Sequence, residues 1–179
     1  MVKSLFTNPK IRHILLFNAV FAGIFLSLHL FHHPFSILSV KEHSDGRTIL
    51  NMLYWYDAET AHEYINGYKM EALHIYNRIT LLDMVVIIPS YVFLTVQASF
   101  YFLRRSDSGK KLFYATLTVV LVAAVANYGQ DMIIRRLLFL RPGTDEFLAG
   151  LSGWLSMVKF TALGSCPLIL FVFWLKQKR

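Results

Sequence analysis

Four stretches of this chain are too long and too apolar for a protein of 179 residues to bury, and that limits the fold more than any motif does. They run from Ile11 to Phe31, from Ile79 to Leu103, from Leu112 to Ile134 and from Leu151 to Leu175. A helix crosses about 30 Å of hydrocarbon with roughly 20 residues, so each run is long enough to span a bilayer. Outer-membrane barrel strands would be about 10 residues of alternating polarity, and nothing in these runs alternates. The composition agrees, because 55% hydrophobic and 16% charged residues leave too little polar surface for a soluble domain. The expected fold is all-α: a four-transmembrane-helix bundle forming one integral membrane domain over residues 1–179, with the lipid bilayer as its first partner.

The first run is preceded by Lys3, Lys10 and Arg12, as a cleavable signal would be, but it is longer than a signal core. His32-His33-Pro34 follows it, with no small-residue cleavage site, so a retained anchor is expected. The charges then orient the chain. Ten basic residues lie on one side, at the amino end, in the second loop (Arg104, Arg105, Lys110, Lys111) and in the tail (Lys176, Lys178, Arg179). Seven lie on the other (Lys41, Arg47, Lys69, Arg78, Arg135, Arg136, Arg141), spread through longer loops among acids. The positive-inside rule therefore predicts both termini on the cytoplasmic side, or the matrix side in an organelle. The net charge of +7 reads as membrane-flanking charge, since no basic helix or basic-aromatic alternation points to nucleic acid. A lone Cys166 in an apolar run offers no intrachain disulfide and no second thiol for a metal.

The first loop, His32 to Arg78, is long enough to hold structure. Ala61, Ile65, Tyr68, Ala72 and Ile75 recur at helical spacing, and Thr60 with Glu63 has the spacing of a capping box, so an amphipathic helical segment is expected, broken in two at Gly67. Tyr54, Trp55, Tyr56, Tyr64, Tyr68 and Tyr76 form an aromatic cluster suited to the headgroup layer. Periodicity alone carries no chemistry, and the loop could simply cap the bundle.

Chemistry is expected where lipid should exclude a residue. Asp83, Asp131 and Lys159 sit inside apolar runs, and an ionisable group at a helix centre costs about 2.5–3.5 kcal/mol on insertion scales. At 1.5 Å per residue they lie about 6, 5 and 12 Å inside their spans, all toward the non-cytoplasmic half, so contact among them is geometrically open. Asn127, Gln130 and Asp131 share a helix face, Asp83, Ser90 and Tyr91 form a similar stripe, Pro89 should bend that span, and His29 enters at the same depth. These residues predict a polar intramembrane pocket lined by His29, Asp83, Tyr91, Asn127, Gln130, Asp131 and Lys159, with Lys159 paired to Asp83 or Asp131. The competing reading is a buried ion pair that only specifies helix packing.

Two histidine patterns also bear on function. His29-Leu-Phe-His32-His33 fits H-x-x-H-H, which resembles one histidine box of membrane desaturases, and Glu59-x-x-His62 and Glu71-x-x-His74 fit the E-x-x-H of di-iron carboxylate sites. Desaturase-type enzymes use about eight histidines in several boxes, whereas this chain has seven, with His13 on the opposite side of the membrane. The E-x-x-H pairs are close neighbours in sequence, not on separated bundle helices. No metal is expected, His29, His32, His33, Glu59, His62, Glu71 and His74 being the only candidates for one. No phosphate loop, dinucleotide fingerprint or nucleophile elbow is present, and no cofactor is expected.

From Asp57 to Lys159 the chain resembles an uncharacterised family of small four-span membrane proteins with an Arg/Tyr pair, then Asp, Pro and Tyr in the second span, D-x-x-E-N in the third and Lys in the fourth. The corresponding residues here are Tyr76 and Arg78, Asp83, Pro89 and Tyr91, Asn127-Tyr-Gly-Gln130-Asp131, and Lys159. The third-span motif has amides where the family has acids, and no activity is carried over. In architecture, with Asp83 and Pro89 in the second span, the chain is also similar to the EXPERA-type sterol-isomerase and sigma-2-receptor proteins. That resemblance implies a membrane cavity for sterols or amphiphilic amines. Two functions follow as expectations: a protein, enzymatic or not, that binds a lipid or small amphiphile in the polar pocket, or a non-catalytic accessory subunit of a larger, for example respiratory, membrane complex. A metal-dependent lipid-modifying enzyme is a third, and a homo-oligomer is compatible with each.

Overall fold

The computed structural model describes residues 9–103, 109–140 and 145–177, and within them every regular element is helical. In chain order these are α1 (Pro9–Leu30), α2 (Ile37–Glu42), a 3-10 turn (Leu50–Met52), α3 (Ala58–Gly67), α4 (Met70–Leu82), a π turn (Asp83–Ile87) running directly into α5 (Ile88–Leu103), α6 (Gly109–Leu140) and α7 (Glu146–Gln177). Three stretches are long and apolar enough to cross a membrane: Met70–Ser99, Lys110–Leu140 and Glu146–Ile169. Leu16–Leu30 is a shorter apolar one. Of the flanking cations, Lys3, Arg104, Arg105, Arg141, Lys178 and Arg179 lie outside the described residues.

The helices outrun the apolar runs that announced them. The second starts at Met70 instead of Ile79, the third continues past Ile134 to Leu140, and the fourth starts at Glu146 instead of Leu151. Hydropathy marks where lipid would touch the chain, whereas backbone hydrogen bonding continues through polar residues such as Asp131, Arg135 and Arg136. The loop therefore ends at Lys69, and its amphipathic second half is the opening of the second long helix. Its first half is α3. Asp57 caps it by accepting from the Thr60 N–H at 2.8 Å, which holds the Asp57 carboxyl below its usual range. The Thr60–Glu63 capping box does not form, because the helix starts one turn earlier and Thr60 lies inside it; Glu63 reaches Arg47, at 3.3 Å.

Pro89 shapes the second long helix. It has no N–H to donate, and its ring crowds the carbonyl four residues earlier. The helix widens just ahead of it, and the Ile88 N–H bonds to the Asp83 carbonyl five residues back. This wide turn absorbs one extra residue. In a regular helix, at about 100° per residue, Ser90 would fall about 20° from Asp83 and Tyr91 about 80° away. With the extra residue absorbed, Tyr91 takes the near position. Tyr91 accordingly lines a cavity with Asp83, and Ser90 does not.

The largest buried cluster lies where the first connection meets α4, α6 and α7. Ile49, Leu50 and Tyr56 from the connection pack with Ile65 and Tyr68 of α3 and its end, Tyr76 of α4, Ile134 and Leu137 of α6, and Ala149 of α7. The aromatic cluster is thus divided. Tyr54 and Trp55 are about half exposed, while Tyr56, Tyr68 and Tyr76 are interior residues, not headgroup anchors. Each interior ring has a hydrogen bond for its hydroxyl: Tyr56 donates to Ser152 Oγ at 3.0 Å, Tyr68 to the Thr48 carbonyl at 2.6 Å, and Tyr76 to Asn51 Oδ1 at 2.5 Å. Burial pushes the Tyr56 phenol up to about 12, against the partial relief of hydrogen bonds from Ser152 and Gln130, and raises Tyr68 as well.

α7 receives this connection on small residues. A Cβ built on Gly153 would lie 1.8 Å from the Tyr56 carbonyl oxygen, so only glycine lets the two backbones meet there. Ser152 on one side of it accepts from Tyr56, and Ser156, one turn on, donates to the Leu53 carbonyl. The sequence Ser152-Gly153-x-x-Ser156-x-x-Lys159 is therefore a seat for residues 51–56, ending in the lysine.

Candidate polar site beneath the first connection

Lys159 is buried, and its ammonium donates to the Asn51 carbonyl at 2.9 Å and to Gln130 Oε1 at 2.7 Å. Among the described residues no carboxylate comes within ion-pairing distance of it. The expected direct pairing with Asp83 or Asp131 is therefore replaced by two neutral acceptors. The reason lies in the connection: the 3-10 turn at Leu50–Met52 drops a backbone carbonyl into the bundle, and that acceptor reaches the ammonium first. The Phe160 ring lies 4.6 Å from Lys159 Nζ, a cation–π distance.

Asn51 is the centre of the arrangement and the residue that side-chain patterns did not reveal. Its backbone N–H donates to Tyr76 Oη at 3.3 Å, its Oδ1 accepts from the same hydroxyl, its Nδ2 donates to Asp131 Oδ1, and its carbonyl takes Lys159. One loop residue thus ties α4, α6 and α7 together. The signal available in the sequence was a lone amide in the apolar run Ile49-Leu50-Asn51-Met52-Leu53.

The expected site residues divide into two layers. His29, Asp83, Tyr91, Asn127 and Lys159 line one cavity of about 330 Å³, together with Asn51 and a wall that is otherwise mostly apolar and aromatic, including Phe21, Phe25, Ile87, Phe160 and Leu163. Gln130 and Asp131 are fully buried behind that wall. Gln130 bridges Lys159 to Tyr56, donating to the Tyr56 hydroxyl at 3.3 Å, and Asp131 is held by Asn51. They orient the lining and do not belong to it.

Asp83 Oδ2 accepts from Asn127 Nδ2 at 3.0 Å. Tyr91 Oη lies beside the Asn127 amide without a well-formed bond, and both Tyr91 Oη and Asn127 Oδ1 have no partner among the described residues. Asp131 Oδ2, behind the wall, has no N–H donor among the described residues and neighbours the Asp83 carboxyl, so it is not open to the cavity. Burying such groups unmatched is unfavourable, so this end of the cavity has spare hydrogen-bonding capacity. His29 Nδ1 is taken by the Phe25 carbonyl at 2.7 Å, with the ring nitrogen as donor.

The metal candidates disperse. His32 pairs with Glu42 at 2.7 Å, Glu71 with His43 at 3.0 Å, and His33 Nε2 lies 3.1 Å from the Ser27 hydroxyl. Glu59 and His62 share an exposed hollow with Glu63 and Glu146, and His74 is exposed on α4. Among the described residues no three of His, Cys, Asp and Glu converge to hold a metal ion. Cys166 is a free, buried thiol that does not line the cavity. No family model, curated protein or solved structure matches the chain.

Proposed function

We propose that this chain is a four-span integral membrane protein, with both termini on the cytoplasmic side, that binds a small amphiphile in the cavity beneath its first connection. The observation that carries the reading is the cavity's asymmetry. Its walls are aliphatic and aromatic, while one end gathers Asp83, Asn127, Tyr91 and Lys159 with acceptor atoms left open. At about 330 Å³ it is at the small end of ligand-binding cavities, about 300–1,000 Å³. An apolar body suits the walls. A hydroxyl or amine head suits the polar end, because Asp83 and Asn127 Oδ1 accept and Tyr91 Oη can accept or donate. Lys159 has three N–H groups and spends two, which leaves one for the ligand. The orientation rests on the ten-to-seven split of flanking basic residues.

The test is a thermal-shift panel on the detergent-purified full chain, using sterols, long-chain alcohols and long-chain amines. One class should raise the midpoint saturably in wild type, and Asp83→Asn should abolish that rise. If no class does so, and Asp83→Asn and Lys159→Met instead disturb assembly into a larger complex, the binding reading is lost. That outcome would favour the accessory-subunit reading, which is supported by the exposed Met52, Tyr54 and Trp55 on the connection and by the full engagement of Gln130 within the chain.

A further inference from the structure

A second and larger hollow lies on the other side of α1, between that helix and α4 with its π turn. It measures about 890 Å³ and is apolar along its length, where Val20, Gly23 and Ile24 face Leu82, Val85 and Val86. Leu28 belongs to the walls of both hollows, so α1 is the partition between them. The groove is open at the α1 backbone, because a Cβ on Gly23 would meet no atom within 4 Å. Its connection-side end is different in kind: Arg78, Phe35, His33 and Ser27 close it.

Arg78 is an exposed cation. Its guanidinium lies 5.6 Å from the centre of the Phe35 ring, and among the described residues no carboxylate pairs with it. Four acids of the connection and α4 are taken by other groups: Glu42 by His32, Asp45 by Lys69, Glu63 by Arg47 and Glu71 by His43. From Arg78 to Val86 the helix rises about 12 Å, most of the roughly 15 Å of hydrocarbon in one leaflet. A chain lying in the groove would therefore place its headgroup at the guanidinium.

We propose that the groove between α1 and α4 is a phospholipid site, holding one acyl chain along Gly23 and Val85 and an anionic headgroup at Arg78. A guanidinium binds a phosphate through paired N–H donors, and an unpaired one at the lip of an apolar groove favours a lipid with net negative charge. The site is independent of the amphiphile cavity and stands or falls without it.

Native mass spectrometry of the full chain, released from detergent with equal amounts of phosphatidylglycerol and phosphatidylcholine, tests this. Wild type should retain phosphatidylglycerol about five-fold over phosphatidylcholine, the ratio that one basic residue at an anionic surface supplies. Arg78→Gln should bring that ratio to about one while lipid is still retained. Gly23→Leu, which narrows the groove midway along its length, should reduce retention of both lipids. Val85→Trp fills it from the opposite wall, so a misfolded Gly23→Leu leaves the test standing. The proposal is overturned if Arg78→Gln keeps the preference, if both filling variants retain lipid as wild type does, or if the wild type is a dimer that the filling variants dissociate at unchanged lipid content.

Discussion

Replacing Gly153 by alanine adds one methyl group at the point where the connection touches α7, and its effect can be worked out from the geometry. The new Cβ would sit 1.8 Å from the Tyr56 carbonyl oxygen, and contacts under 3.0 Å are essentially never seen, so the two segments must separate by at least 1.2 Å. Nothing flexible lies between them, because the atom in the way is backbone. That separation stretches the Tyr56–Ser152 and Ser156–Leu53 hydrogen bonds on either side of it. Two bonds at about 1 kcal/mol each, with overpacking of about 1–3 kcal/mol, give a loss of roughly 3–5 kcal/mol. For a chain of this size that is a fall of about 6–20 °C in thermal midpoint. Gly150→Ala is the internal control, since a Cβ there meets nothing within 4 Å and the helix gains up to about 1 kcal/mol. The assay is detergent-solubilised unfolding followed by tryptophan fluorescence, with Trp55 beside the displaced Tyr56. Gly153→Ala should melt well below wild type and Gly150→Ala at or above it. If the two variants melt together, residues 51–56 do not sit on α7 as described.

Three further outcomes follow from the same arrangement. Because burial raises the Tyr56 phenol from about 10 to about 12, the unfolded chain loses that proton first as pH rises. The Tyr56 share of the stability is therefore intact below pH 10 and is lost between pH 10 and 12, about 3 kcal/mol, and Tyr56→Phe should make the fall over that window shallower by that amount, the buried Tyr68 still contributing, while costing about 1 kcal/mol at neutral pH. Asn51→Leu strips partners from Asp131 and Tyr76 and should cost roughly 2–4 kcal/mol by chemical denaturation in detergent, whereas Met52→Leu, at an exposed neighbour, should be near neutral. Leu163→Trp, which reduces the amphiphile cavity, should abolish the ligand-induced thermal shift without changing the lipid ratio set by Arg78.

The sequence made the helices and the misfit residues legible for one physical reason: hydrocarbon penalises polar groups so strongly that Asp83, Asp131 and Lys159 stand out of any apolar run. It grouped His29, Asp83, Tyr91, Asn127, Gln130, Asp131 and Lys159 around one space; five of them line one cavity, and Gln130 and Asp131 are buried behind its wall. Their partners were not legible. Lys159 goes to a backbone carbonyl, and backbone atoms leave no trace in side-chain patterns. Tyr56, Tyr68 and Tyr76 read as interface residues because a tyrosine is equally at home at a headgroup layer and in a core that supplies a hydroxyl partner. Only the fold of the connection decides between them. The phase of Tyr91 depended on the π turn before Pro89, a register change that a count of helical steps passes over.

On the proposed function, the cavity beneath the connection holds an amphiphile by its head at Asp83. Native mass spectrometry of wild type and Asp83→Asn, purified side by side without added ligand and compared with lipid extracts of the same preparations, tests it most directly. Wild type should carry one small bound mass with a hydroxyl or amine that is absent from Asp83→Asn. A bare wild-type mass, or the same adduct at equal occupancy on both proteins, would contradict it.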